Sequence, residues 1–211
     1  MIDAAYHETR FQHDPRRRRL WQTLVDSVFQ KEIPPDAVVL ELGAGYGEFI
    51  NSVKARRRIA VDIWPGMLTH LDKGVEGLVT PVTKLEGIED NSVDYAFSSN
   101  CFEHITQADL VDCLGQLRSK LKPGARLTIV QPNFKYCYRD YFDDYTHISV
   151  YTAQGLSDLL AANGFRVVRR LPRFLPLTIK SRIPVHPLLI RLYLMSPFKP
   201  MAGQMLISAI R

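Results

Sequence analysis

Cysteine is scarce in this chain and makes no pattern. Cys101, Cys113 and Cys137 are odd in number, form no Cys-x-x-Cys pair and belong to no His/Cys array with zinc spacing. That excludes a disulfide framework and a structural zinc site, and it points to free thiols in a reducing compartment. No run approaches eighteen consecutive apolar residues, and the first residues lack a charged segment followed by an apolar stretch, so neither a membrane span nor a secretory leader is read here. The expected location is cytoplasmic. A Gly-x-x-x-x-Gly-Lys-Ser/Thr phosphate loop is absent, which leaves nucleoside triphosphate hydrolysis without support. Charge of neither sign dominates: 27 Lys and Arg against 22 Asp and Glu give a formal net charge of +5 over 211 residues. Arg16 to Arg19 and a C-terminal group of Arg166, Arg169, Arg170, Arg173, Lys180, Arg182 and Arg191 hold much of the positive charge. Such a rim attracts phosphorylated sugars, nucleic acid or anionic lipid, or is simply a solvated face.

What is present is concentrated between Val38 and Ile50. An apolar strand, Val38-Val39-Leu40-Glu41-Leu42, runs into three alternate glycines, Gly43, Gly45 and Gly47, and then into a helix start, with Glu41 two residues before the first glycine. Glycines at a strand-to-helix turn permit positive φ and let a ligand lie against bare backbone near helix N–H groups. The dinucleotide fingerprint requires its third glycine at position 48, where Glu48 stands. A carboxylate there disfavours a pyrophosphate and suits a ligand with cationic groups.

Glu41-Leu42-Gly43-Ala44-Gly45-Tyr46-Gly47, followed by Arg58-Ile59-Ala60-Val61 ending in Asp62, closely resembles the cofactor site of class I S-adenosylmethionine-dependent methyltransferases. By that resemblance Glu41 holds the methionine ammonium directly or through water. The backbone of Gly43, Ala44, Gly45 and Gly47 lines methionine and ribose, and Asp62 with Ile63 beside it meets the ribose hydroxyls. Asp90 to Ile105 resembles the family's fourth strand and following turn, which places Ser99 and Asn100 against the methionine part. The acid that often holds the adenine amino group is missing: Val82 and Thr83 occupy its place, leaving Thr83, backbone groups and an apolar wall of Leu85 and Ile88 for adenine.

The implied fold is α/β: a doubly wound, seven-stranded Rossmann-like sheet, mostly parallel with one antiparallel strand, in the order 3-2-1-4-5-7-6. A single domain spans 1–211. Residues 1–35 form an N-terminal helix and lid: Leu20, Trp21, Leu24, Val25, Val28 and Phe29 have helical spacing over Arg16 to Gln30, Asp14-Pro15 reads as cap and first turn, and Tyr6, Phe11 and His13 are lid candidates. Gln107 to Leu121 and Thr152 to Asn163 read as helices, and Lys122-Pro123-Gly124 as a turn before the strand Arg126 to Gln131. Phe165 to Leu171 and Met205 to Ile210 read as the last two strands. Between them 172–203 is a proline-rich insertion with a short apolar helix at Leu188 to Met195, expected to cover the substrate, to form a homodimer contact or to lie peripherally on a membrane.

Methyl transfer requires alignment of acceptor and methyl, exclusion of water and, for a hydroxyl acceptor, removal of a proton. The richest polar cluster at a strand end is Gln131 to His147, where α/β sheets place ligands. His147 is the first candidate base because an imidazole titrates near neutrality, with Asp143 or Asp144 to orient it, and His104 is the second. Tyr136, Tyr138, Tyr141 and Tyr145 are candidates to stack on a sugar or aromatic ring. The motifs of DNA amino and cytosine methylases are missing, as is the Asp/Asp-Asn set that holds magnesium in catechol-type enzymes, so no metal is expected and nucleic acid is disfavoured. The Tyr-Phe-Asp-Asp-Tyr-Thr-His run and the insertion resemble methyltransferases associated with bacterial surface polysaccharide. O-methylation of a sugar, glycan or other small metabolite is the leading expectation. Its alternatives are an RNA or protein methyltransferase using the basic rim and a non-catalytic cofactor-binding scaffold subunit.

Overall fold

In the computed structural model, residues 12–176 and 185–211 are described. Seven strands, β1 (Val38–Leu42), β2 (Arg57–Asp62), β3 (Val75–Val79), β4 (Val93–Ser99), β5 (Leu121–Pro132), β6 (Arg166–Pro176) and β7 (Ala202–Ile210), form one sheet. Their order is β3-β2-β1-β4-β5-β7-β6. The pairings among β1 to β5 are parallel, and β7 runs antiparallel to both β5 and β6. This is the expected doubly wound sheet. β1 is buried over its whole length, as a strand covered on both faces must be.

The period of two along each strand divides the core. One layer sets Leu40, Leu127, Ile129 and Ile207 against α3 (Gln107–Lys120) and α5 (Ala153–Ala162), through Leu110, Leu114, Leu117, Leu156 and Leu160. The opposite layer sets Val39, Phe97, Val130 and Leu206 against α1 (Pro15–Leu24) and α2 (Glu48–Ser52). There Trp21, Phe29, Phe49 and Phe97 interlock, with the Phe49 and Phe97 rings stacked at 3.7 Å between centroids.

Asp14 caps α1 by accepting from the Arg16 N–H, and Pro15 opens the helix as expected. The single helix read to Gln30 is instead α-helical only to Leu24. A π turn, Val25–Phe29, and a 3-10 turn, Gln30–Glu32, follow. The wide turn lets Val25 and Phe29 both stay buried at the sheet. Lys122-Pro123-Gly124 is not a separate turn: it lies within β5, where the pairing with β4 slips between Val93 and Tyr95. Thr106 and Asp109 form a capping box on α3, Asn133 caps the one-turn α4 (Phe134–Cys137), and Thr152 caps α5. The last two strands are longer than read: β6 runs to Pro176 and β7 starts at Ala202. Within the insertion, α6 (Pro187–Met195) packs against α1 and the second core layer through Ile190, Tyr193 and Leu194. The insertion therefore reaches the loop after β5 through β6, where the Arg173 guanidinium lies over the Tyr136 ring, while its helix sits on α1.

Candidate active site

The strand ends of β1, β2 and β4 meet at the glycine turn. Gly43, Gly45 and Gly47 all have positive φ, and the Gly43 and Ala44 N–H groups both donate to the Val61 carbonyl of β2. Gly43 has a packing reason beyond its φ of +68°: a Cβ there would stand 2.5 Å from the Cys101 Sγ. The turn and the loop after β4 touch at a point only a glycine allows. Ser98 fixes the same junction by donating to the Leu42 carbonyl.

Three carboxylates surround this turn. Glu41 is buried, and one of its oxygens accepts from the Ile50 N–H in α2. Burial raises its pKa well above the usual carboxylate value, and the charges of Glu48 and Asp62 push it the same way. Asp62 accepts from Gly45 N–H at 2.7 Å and Trp64 N–H at 2.8 Å, and its pKa is raised by burial against the opposing pull of those bonds. Glu48 is paired with Arg17 at 2.7 Å. The negative charge read from Glu48 is thus met by α1 rather than offered to a ligand. Ile63 is exposed beside Asp62, Val82 is buried and Thr83 is half-buried. Asn100 holds a positive φ of 48°, donates to Ser99 Oγ and accepts from Gln204 of β7. His13, Tyr46, Trp64 and His70 form a ring cluster beside the turn, which brings the lid candidate His13 next to Tyr46; Tyr6 and Phe11 lie outside the described residues. His13, Tyr46, Glu48 and His70 line a cavity of about 80 Å³.

Between the turn after β4 and the loop after β5, His104 and His147 come together with ring centroids 4.9 Å apart. The Tyr141 carbonyl lies 2.6 Å from His147 Nδ1. A carbonyl only accepts, so Nδ1 carries the hydrogen and a neutral ring has its lone pair on Nε2. Thr146 Oγ1 donates to Asp144 at 2.6 Å and stands 2.9 Å from His104 Nδ1, which fixes the same tautomer on His104. Asp144 therefore steadies His104 through Thr146, while the Tyr141 carbonyl sets His147; Asp143 is exposed. Burial lowers the His104 pKa to about 4, with the neighbouring His147 adding to the shift. In the same cluster stands Glu103, fully buried, whose two carboxylate oxygens meet no hydrogen-bond partner among the described residues. Burial pushes its pKa up to about 8. One donor atom from each of Glu103, His104 and His147 lies within 4.8 Å of the others. Sequence reading missed Glu103, Thr146, Gln204 and Arg17. Of the four tyrosines read as stacking candidates, Tyr141 is buried with its hydroxyl on the Ser149 carbonyl, whereas Tyr136, Tyr138 and Tyr145 are exposed.

Residues 11–170 match the methyltransferase-domain family. The chain belongs to the class I S-adenosylmethionine-dependent methyltransferases. This methyltransferase is 30% identical over 152 residues to the malonyl-[acyl-carrier protein] O-methyltransferase of Methylococcus capsulatus, covering 64% of this chain and 54% of that protein. It is 31% identical over 106 residues to phosphoethanolamine N-methyltransferase 1 of Triticum aestivum, covering 46% and 21%. The chain thus spans about half the length, or less, of these curated relatives. The fold matches a SAM-dependent methyltransferase from Archaeoglobus fulgidus with a TM-score of 0.71 at 21% identity over 98% of both chains. It also matches the geranyl diphosphate C-methyltransferase of Streptomyces coelicolor with a TM-score of 0.63 at 14% identity over 90% of this chain and 76% of that one.

The methyltransferase's own residues fit S-adenosylmethionine, its cofactor. Two desolvated carboxylates, Glu41 and Asp62, without a cationic side chain bonded to either among the described residues, call for donors such as an ammonium and a vicinal diol.

Proposed function

We propose that this methyltransferase methylates a hydroxyl oxygen on a small metabolite, sugar or glycan held between the turn after β4 and the loop after β5. The observation that carries the reading is the fixed tautomer of His147, beside the loop after β5, which makes its Nε2 a proton acceptor rather than a donor while the ring is neutral. The cofactor supplies an electrophilic methyl carbon on a sulfonium. The chain supplies the rest. Glu41 binds the ammonium, Asp62 the ribose hydroxyls, and the backbone from Gly43 to Gly47 the intervening atoms. Ile63 and Thr83 border the adenine, and Ser99 and Asn100 the methionine part. His147 takes the acceptor's proton, and His104, held neutral by burial, shapes the space beside it. The exposed Tyr136, Tyr138 and Tyr145 offer ring faces to a sugar. The Tyr-Phe-Asp-Asp-Tyr-Thr-His run supplies both the carbonyl that sets His147 and the Asp144–Thr146 relay to His104, and the polysaccharide-associated reading rests on the resemblance of that run and the insertion alone.

A second reading rests on the spacing of Glu103, His104 and His147. Two imidazoles and a carboxylate are a donor set for a divalent transition cation. Activity that survives exhaustive chelation keeps His147 as the proton acceptor, whereas activity lost and then restored by one ion makes the three residues ligands.

The primary test is calorimetric binding of S-adenosylmethionine to the wild type and to Asp62→Ala, followed by a methyl-transfer screen over nucleotide sugars, lipid-linked glycans and tRNA. Loss of roughly 10-fold or more in affinity on substitution is expected, since two hydrogen bonds to a buried carboxylate disappear. Unchanged affinity removes Asp62 from the site, and transfer to tRNA alone replaces the small-molecule acceptor with RNA.

A further inference from the structure

Helix α6 is apolar on both sides. Ile190, Tyr193 and Leu194 face the core. Leu188, Leu189, Leu192 and Met195, on the other side, are 58, 43, 55 and 80% exposed, and Phe198 and Met201 continue the ridge at 82 and 76%. A helix docked on a domain ordinarily turns polar residues to water. In α6 the one charged residue is Arg191.

The charge in this part of the sequence is of one sign. From Leu159 to Arg211 the sequence has nine Lys and Arg and no Asp or Glu, while residues 1–158 carry 18 Lys and Arg against 22 Asp and Glu. Arg173 and Arg191 are exposed. Asp26 and Glu32 line a groove together with Arg191, Leu194 and Met195 on one flank of α6, and Glu32 also stands 3.6 Å from both Arg126 and Arg169. The outward ridge therefore combines large apolar side chains with arginines at its margins, Arg191 on the groove side and Arg173 donating to the Lys199 carbonyl beside Phe198.

We propose that the outer face of α6, with Phe198 and Met201, docks on the surface of an anionic lipid bilayer. The apolar side chains enter the headgroup boundary and Arg173 and Arg191 meet lipid phosphates. A second copy fits less well, because a two-fold interface would set the same acid-free, positive segment against itself. Nucleic acid would satisfy the arginines but leave six large apolar side chains in water. No helix of the described residues is long and apolar enough to cross a membrane, so the contact is peripheral. The inference does not depend on which acceptor is methylated.

The test is co-flotation of the full chain with vesicles of phosphatidylcholine alone and of phosphatidylcholine with phosphatidylglycerol, at low and high salt. Binding about 10-fold or more stronger to the anionic vesicles is expected, weakened by salt. The double variant Leu192→Glu/Phe198→Glu is expected to lose that binding while binding S-adenosylmethionine like the wild type, because both side chains are mostly in solvent. Equal flotation of variant and wild type overturns the proposal. So does a wild-type dimer in sedimentation velocity, free of lipid, that the double variant abolishes, or tighter binding to RNA than to anionic vesicles at equal salt.

Discussion

Glu103 and His104 are neighbours buried together, and burial moves their protons in opposite directions: the carboxyl is pushed up to about 8 and the imidazole down to about 4. In an unfolded chain Glu103 would titrate near its ordinary value of 4.5. Between that pH and about 8 the folded state binds the extra proton, so this group costs stability progressively as pH rises through the window. His104 acts at the other end. The unfolded chain binds its proton first, and stability falls as pH drops from 6.5 towards 4. Replacing Glu103 by Gln keeps the shape of the neutral carboxyl and abolishes its ionisation. Thermal unfolding should show Glu103→Gln more stable than the wild type at pH 8, by on the order of 2–3 kcal/mol, and nearly equal to it at pH 5. An equal shift at both pH values would show that the carboxyl is solvated and that its isolation is not what matters. A bound divalent cation would reverse the sign, since a metal favours the carboxylate, so the melts are run with and without chelator.

At the scale of elements, the turn from β1 to α2 meets the loop after β4 most closely at Gly43. An alanine at Gly43 must hold φ near +68° and place its Cβ 2.5 Å from Cys101 Sγ and 2.6 Å from Cys101 Cβ. Gly43→Ala should cost about 2–4 kcal/mol in denaturant unfolding, part backbone strain and part overpacking. Cys101→Gly removes both obstructing atoms, so in a double-mutant cycle it should recover about half of that loss, the strain remaining. No recovery would assign the whole cost to the backbone. The strand, the glycines and Asp62 were legible because acid and glycine spacing is local to one turn. β6 was not read past Leu171 because Pro172 and Pro176 looked like breakers. Yet β6 is the edge of the sheet, where a missing N–H faces no neighbour. Glu103 escaped notice for a different reason: its burial arises where the chain about 40 residues on folds back against it, with the Ile148 and Ser149 N–H groups on its carbonyl and Tyr141 and Asp144 near enough to feel its charge, and no local spacing encodes that. Nor could spacing distinguish buried Tyr141 from its exposed neighbours, or show that Asp144 reaches His104 through Thr146.

Over the whole molecule, one face of the sheet links the glycine turn to the chain's basic, apolar side. α6 rests on α1, α1 packs Trp21 on Phe49 and Phe97, and Phe49 belongs to the helix that follows the glycines. Arg17 joins the same path by pairing with Glu48 at 2.7 Å, the two side chains only 22 and 10% exposed. If that pair anchors α1 to the turn, its loss should be felt mainly as an uncompensated charge on Glu48. Breaking a largely buried pair from one side costs about 3 kcal/mol or more, while removing both charges costs much less. Arg17→Ala should therefore destabilise the protein by about 2–3 kcal/mol and weaken S-adenosylmethionine binding. Arg17→Ala/Glu48→Gln should regain most of the stability, yet not the affinity if α1 also closes over the turn through His13. Denaturant unfolding and calorimetry on the same two proteins separate these effects. Recovery of both quantities makes the pair an electrostatic accommodation within the turn, whereas recovery of stability alone makes α1 a lid whose seating on Tyr46 and His70 the cofactor site requires.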